Sequence, residues 1–83
     1  MLTRDITIGI STENLNTTIT YFIKKANDFQ SMISVCRDAV RVNAKSLLGL
    51  ISMGLQKGDQ ITLTAEGADA AEALDALAQL LGD

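Results

Sequence analysis

The sequence predicts an α+β fold in which a four-stranded antiparallel sheet is covered on one face by three helices, in the order βαββαβα. In four short segments apolar residues alternate with polar ones, which is typical of strands that bury one face. In three other segments apolar residues recur at spacings of three and four, as on the buried side of a helix. A chain of 83 residues, of which 47% are hydrophobic, can build one such core, so we expect a single domain over 1–83.

The first strand and the first helix occupy the N-terminal part of the chain. Residues 2–8 end in the alternation expected of a half-buried strand, and the turn-forming residues 9–14 follow. The next helix should be capped by Asn14 or Asn16, because a short polar side chain can accept a hydrogen bond from a free amide. Its predicted buried positions are Leu15, Ile19, Phe22, Ile23, Ala26 and Phe29.

The middle of the chain predicts a hairpin followed by a short helix. Residues 32–36 and 40–43 alternate again, which places the hairpin turn at 37–39. This turn lacks the Asn-Gly pair that tight hairpins prefer, so Ala39 is expected to need a positive φ. Ser46 then caps a short helix that a glycine ends.

A fourth strand and a third helix complete the pattern. Residues 61–66 alternate until Gly67 ends the strand, and the last helix begins near Ala68 or Asp69. This helix should bury Ala73, Leu74, Leu77, Leu80 and Leu81. The uncovered face of the sheet should hold the mostly polar set Thr7, Ser34, Cys36, Arg41, Thr62 and Thr64.

Composition and charge exclude several classes of function. The net charge is −3, the seven basic residues are scattered and aromatic residues make up 4%, so we expect no direct nucleic-acid binding. The longest apolar run, 47–51, is far too short to span a membrane, and the N-terminus does not resemble a signal peptide. A single thiol, Cys36, fits a reducing compartment, so we expect a cytoplasmic protein. No metal-ligand spacing stands out, and neither a metal nor a cofactor is predicted.

Two segments resemble the HPr family, the histidine phosphocarriers of the bacterial sugar phosphotransferase system. They read VNAKSLLGLISMG over 42–54 and KGD followed by ITLTAEGAD over 57–69, and a weaker match lies at Ala26, Phe29, Ser31 and Ile33. The matches follow the family's order without gaps over roughly the last two thirds of the chain. The resemblance implies the open-faced β-sandwich of HPr.

The segment that should carry the phosphorylated histidine departs from the family. HPr proteins read Gly-(Leu or Ile)-His-Ala-Arg-Pro-Ala there, whereas this chain reads ENLNTTI over 13–19. Leu15 stands at the place of the active histidine, and Thr17 at the place of the arginine that binds phosphate. The chain contains no histidine at all. Because leucine has no nucleophilic atom, we expect neither an enzyme nor a phosphocarrier.

The resemblance also implies a regulatory site at Ser46. In the low-GC Gram-positive branch of the family, the matching serine is phosphorylated by a dedicated ATP-dependent kinase. A capping role for Ser46 is compatible with phosphorylation, because a phosphate at a helix start meets free amides. The predicted partners are therefore an HPr serine kinase and a transcription regulator.

The short helix is also the candidate binding surface. Leu47, Leu48 and Ile51 cannot all face so small a core, and in the family this helix docks partner proteins. Leu15 either joins this surface or folds back as the first core residue of its helix. The leading hypothesis is a binding regulator similar to the histidine-less HPr paralogues that act as corepressors in carbon catabolite control. The alternative is a constitutive interaction or assembly module, including a swapped or edge-paired oligomer, and an active phosphocarrier is the least favoured.

Overall fold

The computed structural model describes residues 1–82, without the side chain of Thr12, and confirms the predicted order of elements. The strands are β1 (Leu2–Thr7), β2 (Met32–Arg37), β3 (Val40–Asn43) and β4 (Gln60–Glu66). The helices are α1 (Thr12–Asn27), α2 (Leu47–Ser52) and α3 (Ala70–Gly82). The βαββαβα prediction is therefore correct in the number, type and sequence of its elements.

The four strands form one antiparallel sheet in the order β1-β4-β2-β3. Val35 lies opposite Leu63 on one side and Val42 on the other, so apolar side chains line up across three strands. On the same face, Ile6 of β1 lies opposite Ile61 of β4. Because side chains alternate along a strand, the remaining positions form the polar, uncovered face that the sequence predicted. Thr64 is buried even there, between its cross-strand neighbours on β1 and β2.

One core lies between the covered face of the sheet and the three helices. Its most deeply buried large side chains are Ile8, Phe22, Val35, Leu50, Leu63, Leu77 and Leu81. The predicted core face of α3 is correct except at Leu80, which is half-buried against the core. Phe29 is also only half-buried, because α1 ends at Asn27 and Phe29 follows it in the loop.

The first helix begins earlier than the sequence predicted. It starts at Thr12, and Ser11 at the capping position makes no side-chain cap hydrogen bond. The predicted caps, Asn14 and Asn16, both lie inside the helix. Asn14 instead donates from its side chain to the Ser11 hydroxyl at 3.2 Å. The physical reason is the burial of Leu15, since its side chain reaches the core only if the turn before it is already helical.

The hairpin between β2 and β3 also differs from its prediction. Arg37 pairs with Val40, which leaves a turn of two residues. The positive φ, 54°, belongs to Asp38 and not to Ala39. Aspartate adopts this left-handed conformation more readily than alanine, because its short polar side chain can bond locally. The predicted strain at Ala39 is therefore wrong.

A polar junction joins the loop after α1 to the loop before α3. The Asp69 carboxylate accepts hydrogen bonds from the backbone amides of Gln30 and Ser31, at 2.9 and 3.0 Å, and from the Ser31 hydroxyl. The Ser31 hydroxyl bond, followed by the Gln30 amide bond, holds the pKa of Asp69 below its ordinary value. Gly67 has a φ of 151°, and a Cβ there would lie 2.6 Å from the Ser31 hydroxyl oxygen. Only glycine permits this close approach.

Candidate protein-interaction site on the second helix

The start of α2 is fixed by Ser46, as predicted. Its hydroxyl oxygen accepts a hydrogen bond from the Gly49 amide at 3.1 Å, and its φ and ψ of −105° and 112° are those of an extended capping residue. The Ser46 amide donates to the carbonyl of Asn43 at 3.0 Å. A Cβ at Gly49 would lie 3.3 Å from both the Ser46 hydroxyl oxygen and the Val42 Cβ. The helix therefore packs closely against β3 on this side.

The end of α2 is held by an arginine from the sheet. Arg37 donates to the carbonyl of Met53 and to the carboxylate of Asp59, the latter at 2.9 Å. The same carboxylate oxygen accepts from the Gln56 amide at 2.9 Å. Both partners of the ion pair are partly shielded from water, with side-chain exposures of 28% and 29%. This link was not predicted, because nothing in the local sequence pairs residues 22 positions apart.

Three apolar side chains of α2 point away from the core. Leu47, Leu48 and Ile51 are 50%, 79% and 55% exposed, whereas Leu50 is buried. We call these three residues the α2 apolar surface. A six-residue helix is marginal by itself, so its fixed start and end keep the three side chains in one arrangement. A contiguous exposed apolar surface of this kind is typical of sites that contact other proteins.

Leu15 does not belong to this surface. It is 3% exposed and lies in the core with Ile19 and Phe22, so the interpretation of Leu15 as a partner-binding residue is corrected. The alternative, that it is the first core residue of its helix, describes its position. Thr17, at the place assigned to the arginine, is exposed within α1. Residues 12–19 are thus a regular helical segment and not a loop.

Two surface depressions, of about 390 and 420 Å³, involve neither Ser46 nor the α2 apolar surface. Within residues 1–82, no three acidic, cysteine or histidine side chains come together as metal ligands would. In that same part of the chain, each helix is too short or too polar to cross a membrane. The α2 apolar surface therefore remains the main candidate site.

Comparison with known proteins identifies the family. Residues 2–83 match the family model described as "PTS HPr component phosphorylation site". The HPr-like protein Crh of Halalkalibacterium halodurans is 46% identical over 56 residues, which cover 68% of this chain and 67% of that protein. The crystal structure of HPr-C-His from Thermoanaerobacter tengcongensis is 37% identical and superimposes with a TM-score of 0.92, covering 98% of this chain and 91% of that one.

The structure of a Crh protein extends the likeness. Crh of Bacillus subtilis, described as a dimer with a swapping domain, is 35% identical with a TM-score of 0.74. The match covers 90% of this chain and 82% of that one. Carriers and HPr-like proteins thus both resemble this chain, over its fold and most of its length. The chain belongs to the HPr family of the phosphotransferase system.

Proposed function

We propose that this chain is a regulatory HPr-like protein that binds other proteins, accepts no phosphate from phosphoenolpyruvate, and is switched by phosphorylation of Ser46. The observation that carries the proposal is the exposure of Leu47, Leu48 and Ile51 on a helix that begins directly after Ser46. A serine that can gain charge thus adjoins the residues that would contact a partner. We place the protein in the cytoplasm, because its one cysteine is unpaired.

The chemistry of the first helix supports the loss of the carrier role. The chain contains no imidazole, and leucine offers neither a nucleophile nor a proton acceptor. Leu15 is also buried, so even a reactive group at this position would be shielded from a donor protein. Thr17 carries no charge to bind a phosphate. The relatives named Crh, which are HPr-like proteins, support the same interpretation.

The environment of Ser46 supports a switch. Phosphate would add between about 1.5 and 2 negative charges beside three apolar side chains. A partner with an arginine and an apolar pocket would then bind the phosphorylated form more tightly, and salt would weaken that binding. The proposed partners are an HPr serine kinase, which adds the phosphate, and a transcription regulator, which recognises it.

A constitutive assembly module is the second candidate function. It is supported by β1, which in residues 1–82 pairs with β4 alone and whose side chains are mostly exposed. In such a module, β1 would be exchanged with a second copy of the chain. The swapped dimer described for Crh of Bacillus subtilis is consistent with this exchange. In this case binding would depend on apolar contacts and not on the state of Ser46.

Two phosphorylation reactions test the proposed function. Incubation with enzyme I and phosphoenolpyruvate should leave the mass of the intact chain unchanged. Incubation with HPr kinase and ATP should add one phosphate, and Ser46→Ala should abolish this product. Ser52→Ala is the matched control, because Ser52 lies at the other end of α2 and should leave the phosphorylation intact. An acid-labile phosphate from the first reaction would refute the proposal.

Partner binding separates the two candidate functions. Leu48→Asp should weaken binding to the regulator, whereas Met32→Asp should not, although Met32 is about as exposed, at 77%. Under the regulatory proposal Ser46→Ala also abolishes binding. If the kinase leaves Ser46 untouched while Leu48→Asp still prevents binding, the assembly module is the correct function.

A further inference from the structure

The edge strand β3 offers unpaired backbone groups. It pairs with β2 on one side and with no other strand in residues 1–82. Because Arg37 and Val40 close a two-residue turn, hydrogen bonds to β2 come from Val40 and Val42. The backbone groups of Arg41 and Asn43 therefore point outward. The Asn43 carbonyl already accepts from the Ser46 amide, which leaves mainly donors along this edge.

The side chains beside this edge are also donors. A depression of about 420 Å³ is lined on its polar side by Ser34, Arg41, Asn43 and Lys45. Two acceptors beside it are already in use: the Asn43 side-chain oxygen accepts from the Lys45 amide at 2.8 Å, and the Phe29 carbonyl accepts from Lys45 Nζ at 2.9 Å. Within residues 1–82, the Arg41 guanidinium has no hydrogen-bond or ion-pair partner.

Polar and apolar side chains alternate along β3, so one side of the strand is polar and the other is apolar. Arg41 and Asn43 lie on the uncovered face of the sheet, opposite Cys36 and Ser34. Val40 and Val42 lie on the side of the helices, where Val40 is 49% exposed and Val42 is half-buried. A strand added at this edge would place every second side chain beside the arginine and the others beside the two valines.

We propose that β3 binds an extended segment of a partner protein in which carboxylate side chains alternate with β-branched ones. The carboxylates contact Arg41 and Lys45, and the β-branched side chains extend the apolar row of Val40 and Val42. The backbone of the segment pairs with the outward groups of Arg41 and Asn43. Such strand addition combines backbone hydrogen bonds for affinity with side-chain contacts for specificity.

The opposite edge of the sheet is unsuited to the same ligand. There β1 carries Asp5 on the uncovered face, and its carboxylate accepts the hydroxyl of Thr62 at 2.7 Å. An acidic segment would meet a like charge at that edge. The proposed site shares no residue with the α2 apolar surface and needs no phosphate on Ser46. Its test is therefore independent of the proposed function.

Peptide binding to the nitrogen-15-labelled, unphosphorylated chain tests the proposal by NMR. The probe is acetyl-Val-Glu-Val-Glu-Val-amide, and the expected amide shift changes are confined to residues 31–34 and 40–45. Acetyl-Val-Val-Val-Glu-Glu-amide has the same composition but no alternation, and it should bind at least tenfold more weakly. A tenfold loss of affinity corresponds to the loss of about one charge-assisted hydrogen bond. Replacing both glutamates by lysine should abolish binding.

Variants of the chain separate the side-chain and backbone contributions. Arg41→Gln should weaken binding about tenfold. Lys57→Gln, which removes a cation from an exposed turn that does not line the depression, should change it less than about twofold. Arg41→Pro also removes the outward amide and should abolish binding, while unchanged shifts of the β1 and β4 amides show that the fold persists.

Five results would overturn the proposal. The first four are equal binding of the two peptides, an unchanged affinity in Arg41→Gln, shift changes centred on residues 47–51, and the same shifts with sodium acetate at equal carboxylate concentration. The fourth would indicate nonspecific anion binding only. Loss of binding in Leu48→Asp would likewise place the peptide on the α2 apolar surface and contradict the β3 site.

Discussion

The leucine side chains at the starts of α1 and α2 differ in burial. In α1 the first apolar side chain, Leu15, is 3% exposed and belongs to the core. In α2 the first two, Leu47 and Leu48, are 50% and 79% exposed. The start of α2 has a side-chain cap at Ser46, whereas the start of α1 has none. The start of α1 thus contributes a side chain to the core, whereas the start of α2 leaves two apolar side chains exposed.

The largest expected effect is the contrast between two leucine truncations. Leu15→Ala should lower the free energy of unfolding by about 2–5 kcal/mol, because it removes buried methyl groups and leaves a cavity. Leu48→Ala should change it by less than about 0.5 kcal/mol, since its side chain is exposed. Urea denaturation followed by circular dichroism measures both. Equal losses would show that the two helix starts do not differ as the structure indicates.

Restoring the carrier residues is the second test of this comparison. Leu15→His with Thr17→Arg should not produce a phosphocarrier, because the new imidazole would point into the core. Burying an unpaired polar ring should destabilise the chain about as much as Leu15→Ala. Intact mass after incubation with enzyme I and phosphoenolpyruvate is the measurement, with Thr17→Arg alone as the control. Transfer at a rate typical of HPr would contradict the helical structure of residues 12–19.

Smaller changes in stability are expected when the serines at the starts of α1 and α2 are replaced. Ser46→Ala should lower the free energy of unfolding by about 1 kcal/mol, because the Gly49 amide loses its acceptor. Ser11→Ala should lower it by no more than a few tenths of a kcal/mol, since its hydroxyl accepts no backbone amide. Thermal unfolding of the two variants side by side gives the comparison. A larger loss for Ser11→Ala would mean that the start of α1 is capped in solution.

Much of the fold could be predicted because periodicity reports which face is buried. The alternation in 61–66 and the apolar spacing of the last helix each describe one side of one element, and both elements are correctly predicted. The start of α1 could not be placed in the same way. The turn-forming residues 9–14 favour a loop, and this local preference was overridden by the burial of Leu15 in the core.

The rest of the site depends on contacts between distant parts of the chain. Arg37 was assigned to a hairpin turn, yet its side chain reaches the carbonyl of Met53 and the carboxylate of Asp59. The positive φ at Asp38 follows from a two-residue turn, which the spacing alone did not distinguish from a longer one. Exposure of Leu48 but not Leu50 likewise required the helix to be placed against the sheet.

The last prediction depends on pH and concerns the other end of α1. Unlike its uncapped start, the segment after this helix is held by Asp69, which accepts from Gln30 and Ser31. The Ser31 hydroxyl bond, followed by the Gln30 amide bond, holds the pKa of Asp69 below 3.8, its ordinary value. Because the folded pKa is the lower one, the stabilisation is complete above 3.8 and is lost as the pH falls through the folded value.

Asp69→Asn should therefore be less stable than the parent near pH 7, and the difference in their free energies of unfolding should become smaller in acid. Glu72→Gln, which removes an exposed carboxylate from the first turn of α3, is the control for the loss of a charge alone. The measurement is the urea midpoint of each variant and of the parent, from near pH 7 into acid. A stability difference between Asp69→Asn and the parent that does not change with pH would contradict the prediction.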